Sequence, residues 1–332
     1  MNIKHNFQLR NYNSFRTEAL AKLFCAPESV DEIIELLKLF PGEEKLILGA
    51  GCNLFFTKDF NGLVIKPNLK GVTILSENED WVEIEAGAAE DWDDFVNHCV
   101  SNGWSGIENL SLIPGSVGAA PIQNIGAYGT EVKDVITTVK VIEIATGDQM
   151  IFENENCIFE YRNSIFKQTR KYIITSVVFK LNKSFTYHEK YVDLNNELKS
   201  IRHPSLSQVR DAIIKIRTRK LPDHMELPNA GSFFKNPILT SKQKENLQNL
   251  LSDIPIYNIG ENRFKTSAAF LIEKAGYKGK RTGDVGTYEK HALIIVNYGT
   301  PDGKQISRFM QEIQQVIRND YGIDLEPEVW VF

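Results

Sequence analysis

The sequence predicts a mixed α and β protein with more than one domain. Its 332 residues are enough for two or three domains of ordinary size. Hydrophobic residues make up 42% and charged residues 24% of the chain, a balance that is typical of folded proteins and argues against extensive disorder. Helical and strand-like patterns alternate through the first two-thirds, which are richer in strands, and longer helical patterns follow from about residue 207.

The chain opens with a helix, a strand and a glycine-rich turn. Ser29 and Glu32 have the spacing of a capping box, and apolar residues recur at helical spacing behind them. Residues 45–48 form a short apolar run, which predicts a buried strand leading into the turn at 49–51. A second strand is expected over 63–66.

Strands and helices are expected in turn along the rest of the chain. Strands are predicted over 82–86, 135–144, 172–181, 291–296 and 325–332, and helices over 91–101, 207–220, 240–251, 267–275 and 304–321. Residues 103–129 contain six glycines and show no regular pattern. Because loops of this length are usually functional, this segment is expected to belong to a site.

Composition excludes several classes of function. The formal net charge is −5 and no basic tract is present, so nucleic acid is not an expected partner. No apolar run approaches the roughly 18 residues of a membrane helix, and residues 1–6 lack a signal-peptide core. The four cysteines form no CxxC pair and the six histidines show no metal-ligand spacing. We therefore expect a cytosolic protein with reduced thiols and no metal site.

The first candidate ligand loop is the segment Gly49-Ala50-Gly51-Cys52-Asn53-Leu54. It follows a strand, as phosphate-binding loops do, and the Asn53 amide suits contact with a pyrophosphate. However, Leu54 stands in place of the third glycine of the dinucleotide fingerprint, and no acid follows about 20 residues later. A phosphate loop and an ordinary turn both remain open.

The second candidate comprises residues 113–121 and 124–129, which are unusually dense in small residues. Successive backbone N–H groups in such a loop form an anion-binding nest, and glycine lets the backbone approach a flat cofactor. The structural alternative is a tight crossing between strands.

Three further segments carry residues suited to catalysis. Arg162 lies between aromatics, and its planar fork suits a carboxylate or phosphate, although a surface arginine is the commoner case. Ser232, between a glycine and two phenylalanines, is either a proton donor in a dry pocket or a buried serine bonded to backbone. On an extended segment, Glu326 and Glu328 face the same side, as a candidate acid/base pair or as a solvated edge.

Taken in order, these segments resemble the bacterial UDP-N-acetylenolpyruvoylglucosamine reductase family. The matching stretches are LILGAGCN (core at 47–53), IPGSVGAAPIQNIGAYG (113–129), YRNSIFK (161–167), KLPD (220–223), NAGSFFKNP (229–237) and LEPEV (325–329). They span almost the entire chain, and the extended segment with Tyr187 and Tyr191 resembles the longer form of the family.

The resemblance implies an α+β fold with a two-subdomain FAD-binding region of the vanillyl-alcohol-oxidase (PCMH) type and a C-terminal α/β substrate-binding domain. The expected boundaries are 1–69 and 70–221 for the FAD subdomains and 222–324 for the substrate domain, with residues 325–332 returning near the active site. It also implies that NADPH reduces the flavin, which then reduces the enolpyruvyl ether of UDP-N-acetylglucosamine to UDP-N-acetylmuramate.

Site residues follow from the same resemblance. The catalytic residues implied are Arg162 and Glu328, which stabilise the enolate-like intermediate, and Ser232, which protonates the α-carbon. Those implied to bind FAD are Gly49, Gly51, Cys52, Asn53, Leu54, Pro114, Gly115, Ser116, Gly118, Ala119, Gln123, Asn124, Gly126, Ala127 and Tyr128. Those implied to bind substrate or nicotinamide nucleotide are Tyr161, Tyr191, Lys220, Asn236 and Lys278, with Tyr187 competing with Tyr191 for the stacking role.

One departure from the family pattern lies in the first loop. Cys52 replaces the usual serine, which removes a hydroxyl donor but leaves the backbone donors. Two other functions remain as alternatives: an FAD-dependent oxidase of a sugar or alcohol with the same cofactor-binding fold, and a nucleotide-sugar binding protein without flavin. In the leading interpretation the protein is a cytoplasmic monomer that acts on small molecules.

Overall fold

The computed structural model describes residues 1–187, 191–300 and 302–332, which form two compact units. The first unit consists of Met1–Phe7, Ala21–Ala50 and Asn61–Arg219, and the second of Gln8–Leu20, Gly51–Phe60 and Lys220–Phe332. Each unit is therefore built from separate stretches of chain. The three-domain division expected from the sequence stays a prediction.

The strands of the described residues are, in chain order, β1 (Lys4–Gln8), β2 (Leu20–Cys25), β3 (Lys45–Ile47), β4 (Leu54–Phe55), β5 (Phe60–Ile65), β6 (Val72–Glu77), β7 (Trp81–Gly87), β8 (Gly126–Ala127), β9 (Thr130–Glu131), β10 (Ile136–Glu143), β11 (Gln149–Glu153), β12 (Tyr172–Asn182), β13 (Asn229–Ser232), β14 (Ile238–Leu239), β15 (Ile256–Gly260), β16 (Arg263–Thr266), β17 (Arg281–Thr282), β18 (Val285–Tyr288), β19 (His291–Asn297) and β20 (Trp330–Val331). The helices are α1 (Val30–Leu39), α2 (Trp92–Ser101), α3 (Ile165–Thr169), α4 (Val192–Leu198), α5 (Leu206–Lys220), α6 (Ser241–Leu250), α7 (Ala268–Lys274) and α8 (Gly303–Tyr321). Among them, no helix is both long and apolar enough to cross a membrane.

Local sequence signals set the helix starts as predicted. The Ser29 hydroxyl accepts the N–H of Glu32 at the start of α1, and the Asp91 carboxylate accepts two N–H groups at the start of α2. Thr240 and Gln243 form a complete capping box before α6. The predicted helices are confirmed to within one or two residues at each end.

The first unit contains two sheets, each packed against a helix, and a separate helical cluster. Strands β1-β2-β5-β3 form one sheet, and α1 covers it with its buried face, Ile33, Leu36 and Leu37. Strands β11-β10-β12-β7-β6 form an antiparallel sheet, against which α2 packs Trp92 and Phe95. A third cluster joins α4 to α5. These hydrophobic contacts fix the positions of the glycine-rich loops that follow β3 and α2.

The second unit contains more strand than the sequence predicted. Four strands in the order β13-β19-β18-β17 and three in the order β14-β16-β15 accompany α6, α7 and α8 around one core. The unpredicted strands β13–β18 are only two to five residues long and leave little periodicity in the sequence, which explains why the last third was expected to be more helical.

The predicted strand over 325–332 is wrong for most of its length. Only Trp330–Val331 forms a strand, β20, and it pairs in parallel with β4. Before it, Pro327 forms an isolated bridge with Phe234. This segment therefore contacts two parts of the second unit, the end of the first glycine-rich loop and the segment after Ser232.

Candidate active site

In the first unit, the two glycine-rich segments meet at Gly49 and Ser116. A Cβ at Gly49 would lie 2.9 Å from the Ser116 hydroxyl oxygen and 3.6 Å from the Ala119 Cβ. A Cβ at position 49 would therefore displace the Ser116 hydroxyl, because that contact is under 3.0 Å. Two segments that are 67 residues apart in sequence thus form one surface.

The backbone of the second loop runs beside residues 88–92. The N–H groups of Val117 and Gly118 donate to the carbonyl oxygens of Glu90 and Ala88, at 2.9 and 3.0 Å, and those of Ala119 and Ala120 donate back to Ser116 and Val117. The backbone donors of residues 117–120 are therefore occupied and form no anion nest, while contact of Gly118 and Ala119 with FAD stays a prediction.

Gly115 offers the approach that a flat cofactor needs. Its φ is +152°, and no atom lies within 4 Å of the position that a Cβ would take. Pro114 beside it is exposed. The loop therefore presents open backbone to a ligand at 114–116, and these residues fit a bound flavin nucleotide.

Arg162 occupies a tight turn in a conformation that is unusual for arginine. Glu160 and Asn163 exchange backbone hydrogen bonds of 3.0 and 3.2 Å across the turn, and Arg162 has φ +54°. Its guanidinium donates to the carbonyl oxygens of Gly126 (2.8 Å) and Asn124 (3.4 Å). These bonds fix the orientation of the cation beside the glycine-rich turn.

The Asn124 side chain is structural. Fully buried, it donates to the Glu131 carboxylate and the Glu160 carbonyl oxygen, both at 3.1 Å, and accepts from the N–H of Lys133. With both amide N–H groups engaged, this side chain ties the glycine-rich turn to the Arg162 turn. Any contact with FAD would have to come from its backbone, and that assignment stays a prediction.

The two tyrosines proposed for substrate stacking have different environments. The Tyr187 hydroxyl donates to Asn195 at 2.6 Å, and its ring packs on the α4–α5 core. Tyr191 is 44% exposed, its ring lies edge-on to Tyr128 with centroids 6.0 Å apart, and it would be 2.9 Å from a Cβ at Gly129. Because the Tyr191 ring is exposed and packs against Gly129, Tyr191 is favoured over Tyr187 as the ring that stacks on a ligand.

In the second unit, Ser232 and Glu328 lie on neighbouring segments. The Glu328 N–H donates to the carbonyl oxygen of Phe233, next to Ser232, at 2.8 Å, and the Glu328 carbonyl accepts from the Asn53 amide at 3.2 Å. Ser232 is exposed and Glu328 is half-buried. The structure therefore places the backbone segments that carry Asn53, Ser232 and Glu328 next to one another.

The two acids of the C-terminal motif differ in environment. Glu326 is exposed and its carboxylate is paired with Lys235 at 2.5 Å, whereas Glu328 is half-buried and anchored by its backbone. Asn236, four residues after Ser232, accepts the N–H of Ala268 at the start of α7. This hydrogen bond leaves the Asn236 NH2 group as the donor that a ligand would meet.

Positive charge gathers around His291, at the start of β19. Burial lowers the pKa of His291, and the charges of Lys220 and Lys278 lower it further. Lys278 forms an ion pair with Glu273 at 2.9 Å. Two lysines predicted to bind substrate thus share one electrostatic environment, and His291 was missed because no local pattern marks it.

Sequence reasoning also missed three charged residues beside the second loop. Arg210 forms two hydrogen bonds with Asp93, at 2.7 and 3.0 Å, and Asp93 accepts the N–H of Leu112 at 2.5 Å. Arg217 donates from Nε to the Leu112 carbonyl oxygen at 3.3 Å. These residues are up to 124 positions apart, so only the folded chain reveals the cluster.

Two family models match this chain. The FAD binding domain family matches residues 21–152, and the C-terminal domain of UDP-N-acetylenolpyruvoylglucosamine reductase matches residues 223–332. Proteins with that reductase name are 46% identical in Flavobacterium johnsoniae and 41% identical in Dechloromonas aromatica, each over 99% of both chains.

Solved structures support the expected fold class. The reductase (MurB) of Thermus caldophilus matches with a TM-score of 0.70 at 22% identity, over 100% of this chain and 99% of that one. The 6-hydroxy-D-nicotine oxidase of Arthrobacter nicotinovorans matches with a TM-score of 0.52 at 12% identity, over 96% and 94%. The resemblance of the motifs is confirmed over the full length, and the chain belongs to the UDP-N-acetylenolpyruvoylglucosamine reductase family.

Proposed function

We propose that the protein is a flavoenzyme that uses NADPH to reduce UDP-N-acetylglucosamine enolpyruvate to UDP-N-acetylmuramate in peptidoglycan precursor synthesis. The observation that carries the proposal is the placement of a hydroxyl and a carboxylate, Ser232 and Glu328, on segments joined by a 2.8 Å backbone hydrogen bond. Full-length relatives with the reductase name support this substrate and give no support to the oxidase alternative.

FAD, when bound, supplies the hydride, which it receives from NADPH. The residues that would hold it are the surface around Gly49 and Ser116, the open backbone at Gly115, and the turn at 124–128. Because Gly49 approaches Ser116 closely, the start of the first loop and the second loop offer the cofactor one surface. Asn53 and Leu54, later in the first loop, are assigned to the cofactor as well.

Arg162 holds the carboxylate of the enolpyruvyl group. Hydride addition at the β-carbon places negative charge on the α-carbon and this carboxylate, so a fixed guanidinium stabilises the intermediate more than the substrate. The carbonyl oxygens of Gly126 and Asn124 keep that guanidinium in place without neutralising it. Glu328 contributes to stabilising the same intermediate.

Ser232 gives its hydroxyl proton to the α-carbon, which completes the lactyl ether. One hydride and one proton are then added across the C=C bond, and NADPH becomes NADP⁺. Since Ser232 is exposed, solvent returns the proton to its oxygen. Stacking on the substrate is assigned to Tyr191, and binding of substrate or nicotinamide nucleotide to Lys220, Asn236 and Lys278, since these side chains offer a ring or hydrogen-bond donors.

The test separates the two half-reactions by the visible absorbance of the flavin under anaerobic conditions. With Ser232→Ala, bleaching by NADPH should stay within about threefold of wild type, while return of colour on adding the enol ether should slow by about 10²–10⁴-fold. Ser252→Ala, the same change at an exposed position, is the control. Equal loss in both half-reactions would remove Ser232 as the proton donor, and a bleached wild type that the enol ether does not reoxidise would refute the substrate.

The cellular setting is part of the proposal. NADPH and a UDP-sugar are soluble small molecules, so an enzyme that uses both would act in the cytoplasm, and we propose that it does so as a monomer. Light scattering of the FAD-loaded protein at a mass near 37.7 kDa is the expected result. A mass twice as large would contradict the monomer.

A further inference from the structure

Leu112 enters the second glycine-rich loop in a conformation that few side chains adopt. Its φ is +57°, in the left-handed region that favours glycine, and a residue other than glycine or asparagine is disfavoured there. Two residues later the chain reaches Pro114-Gly115, where the backbone is open to a ligand. The conformation of Leu112 therefore sets the direction in which the loop leaves.

Both peptide groups of Leu112 are held by charged side chains. The Asp93 carboxylate accepts the Leu112 N–H at 2.5 Å, and Arg217 Nε donates to the Leu112 carbonyl oxygen at 3.3 Å. Hydrogen bonds to ionised groups are about twice as strong as neutral ones. This arrangement offsets the cost of the left-handed backbone.

Asp93 is itself fixed on two sides. It lies in the first turn of α2, and the guanidinium of Arg210 on α5, only 7% exposed, forms two bonds to its carboxylate. Although burial opposes it, Arg210 and the Leu112 N–H lower the pKa of Asp93, so the carboxylate is ionised at neutral pH. A rigid acceptor is what a strained peptide needs in order to stay in one conformation.

Hydrogen bonds on both sides of Leu112 attach this stretch of the loop to α2. Trp92 donates from its indole to the Leu110 carbonyl at 2.9 Å and from its backbone N–H to the Gly115 carbonyl at 3.2 Å. Residues 110 and 115 are thus attached to the start of α2 on either side of the hydrogen bond between Leu112 and Asp93. Between residues 110 and 115, Leu112 is the residue with a left-handed backbone.

We propose that Asp93, supported by Arg210, is a positioning residue that holds Leu112 in the left-handed conformation and so shapes residues 113–116 for FAD. The proposal rests on the proposed role of this loop in binding FAD. The competing explanation is that the ion pair only joins α2 to α5. In that case its removal would weaken the whole unit, and the conformation of Leu112 would not matter.

A double-mutant cycle on FAD affinity distinguishes these explanations. Apoprotein is titrated with FAD, and the dissociation constant is read from quenching of flavin fluorescence. Asp93→Asn should weaken FAD on the order of tenfold, because Leu112 loses its charged acceptor. Leu112→Gly in the Asp93→Asn background should restore affinity to within about threefold of Leu112→Gly alone, because glycine takes this backbone without strain.

Two matched controls and a second variant complete the experiment. Asp94→Asn makes the same charge change one residue later, at an exposed position, and should leave the dissociation constant unchanged. Ile113→Gly in the Asp93→Asn background should rescue nothing, since Ile113 has no left-handed backbone. If Asp93→Asn does not fold, Arg210→Lys, which keeps the charge and loses the fork, takes its place in the cycle.

Equal loss of affinity with Leu and with Gly at position 112 would overturn the proposal, as would an unchanged dissociation constant in Asp93→Asn. Wild-type apoprotein that does not bind FAD at all would instead refute the proposed function. The two failures are therefore distinguishable in one titration series.

Discussion

Gly118 is the position where a single methyl group should do most harm to the cofactor loop. A Cβ there would lie 2.6 Å from the Ala88 Cβ, 3.0 Å from its Cα and 3.1 Å from its carbonyl oxygen. Two of these three atoms are backbone. Ala88 cannot retreat easily, because its N–H is bonded to Thr175 in the central strand β12 and its carbonyl accepts the Gly118 N–H.

The magnitude follows from these contacts. Overpacking of this kind costs about 1–3 kcal/mol, and loss of the Gly118 hydrogen bond costs about 1 kcal/mol more. We therefore expect Gly118→Ala to lower the free energy of unfolding by roughly 2–4 kcal/mol. Because Ser116 lies two residues away and contacts Gly49, FAD affinity should fall as well.

Urea unfolding of the FAD-free protein measures the first effect, and titration with FAD the second. Gly42→Ala is the control, because a Cβ at Gly42 meets no atom within 4 Å and its backbone lies outside the left-handed region. That control should retain or slightly raise stability, since alanine restricts the unfolded chain. Identical unfolding midpoints for Gly118→Ala and Gly42→Ala would refute the packing argument.

Three further predictions concern the site. Gly126→Ala should lower turnover about tenfold and weaken FAD binding, because its Cβ would lie 3.0 Å from the Thr130 carbonyl oxygen, 3.1 Å from the Glu131 Cγ and 3.2 Å from the Arg162 guanidinium; steady-state rates and FAD titration test this, and unchanged turnover would contradict it. Tyr191→Ala should raise the KM for the UDP-sugar about tenfold, because the stacking is lost. Tyr187→Phe should leave KM unchanged and lower the free energy of unfolding by about 1 kcal/mol. Equal changes in KM would contradict the choice of Tyr191 as the stacking residue. The pKa of His291 is lowered in the folded protein, so protonation favours the unfolded chain, and the free energy of unfolding falls as the pH drops below about 6.5. His291→Gln should flatten this decline in urea midpoints between about pH 5.5 and 7.5. Parallel curves for wild type and variant would contradict a contribution of His291.

Local signals made the helices predictable. Ser29, Asp91 and Thr240 each cap a helix within a few residues of an apolar stripe, so sequence neighbours contain the whole signal. Strand β6 was not predicted because every residue in it is exposed and, within the described parts of the chain, it lies at the edge of its sheet beside β7. Such a strand has no buried face, and hence no alternation of apolar and polar residues to find.

The site residues also differ in how far the sequence could predict them. Arg162, Ser232 and Glu328 were predicted through motifs shared with a family, whereas Asp93 and Arg210, 117 residues apart, carry no motif of their own. Their pairing depends on how α2 packs beside α5, which only the folded chain determines. The anion nest failed for a related reason, because the small residues at 117–120 serve the crossing with residues 88–92.

Backbone strain alone does not distinguish Arg162 from the other arginines. Three arginines, Arg16, Arg162 and Arg170, have φ between +53° and +55°, and Arg170 simply ends a helix. Arg162 differs in its side chain, since its guanidinium donates to two carbonyls of one turn and Gly126 leaves room for it. The left-handed backbone of Arg162 costs free energy, and the two hydrogen bonds from its guanidinium to the turn at 124–126 help to offset that cost. This anchoring supports the catalytic role proposed for Arg162, and Gly126→Ala tests the anchoring without altering the arginine.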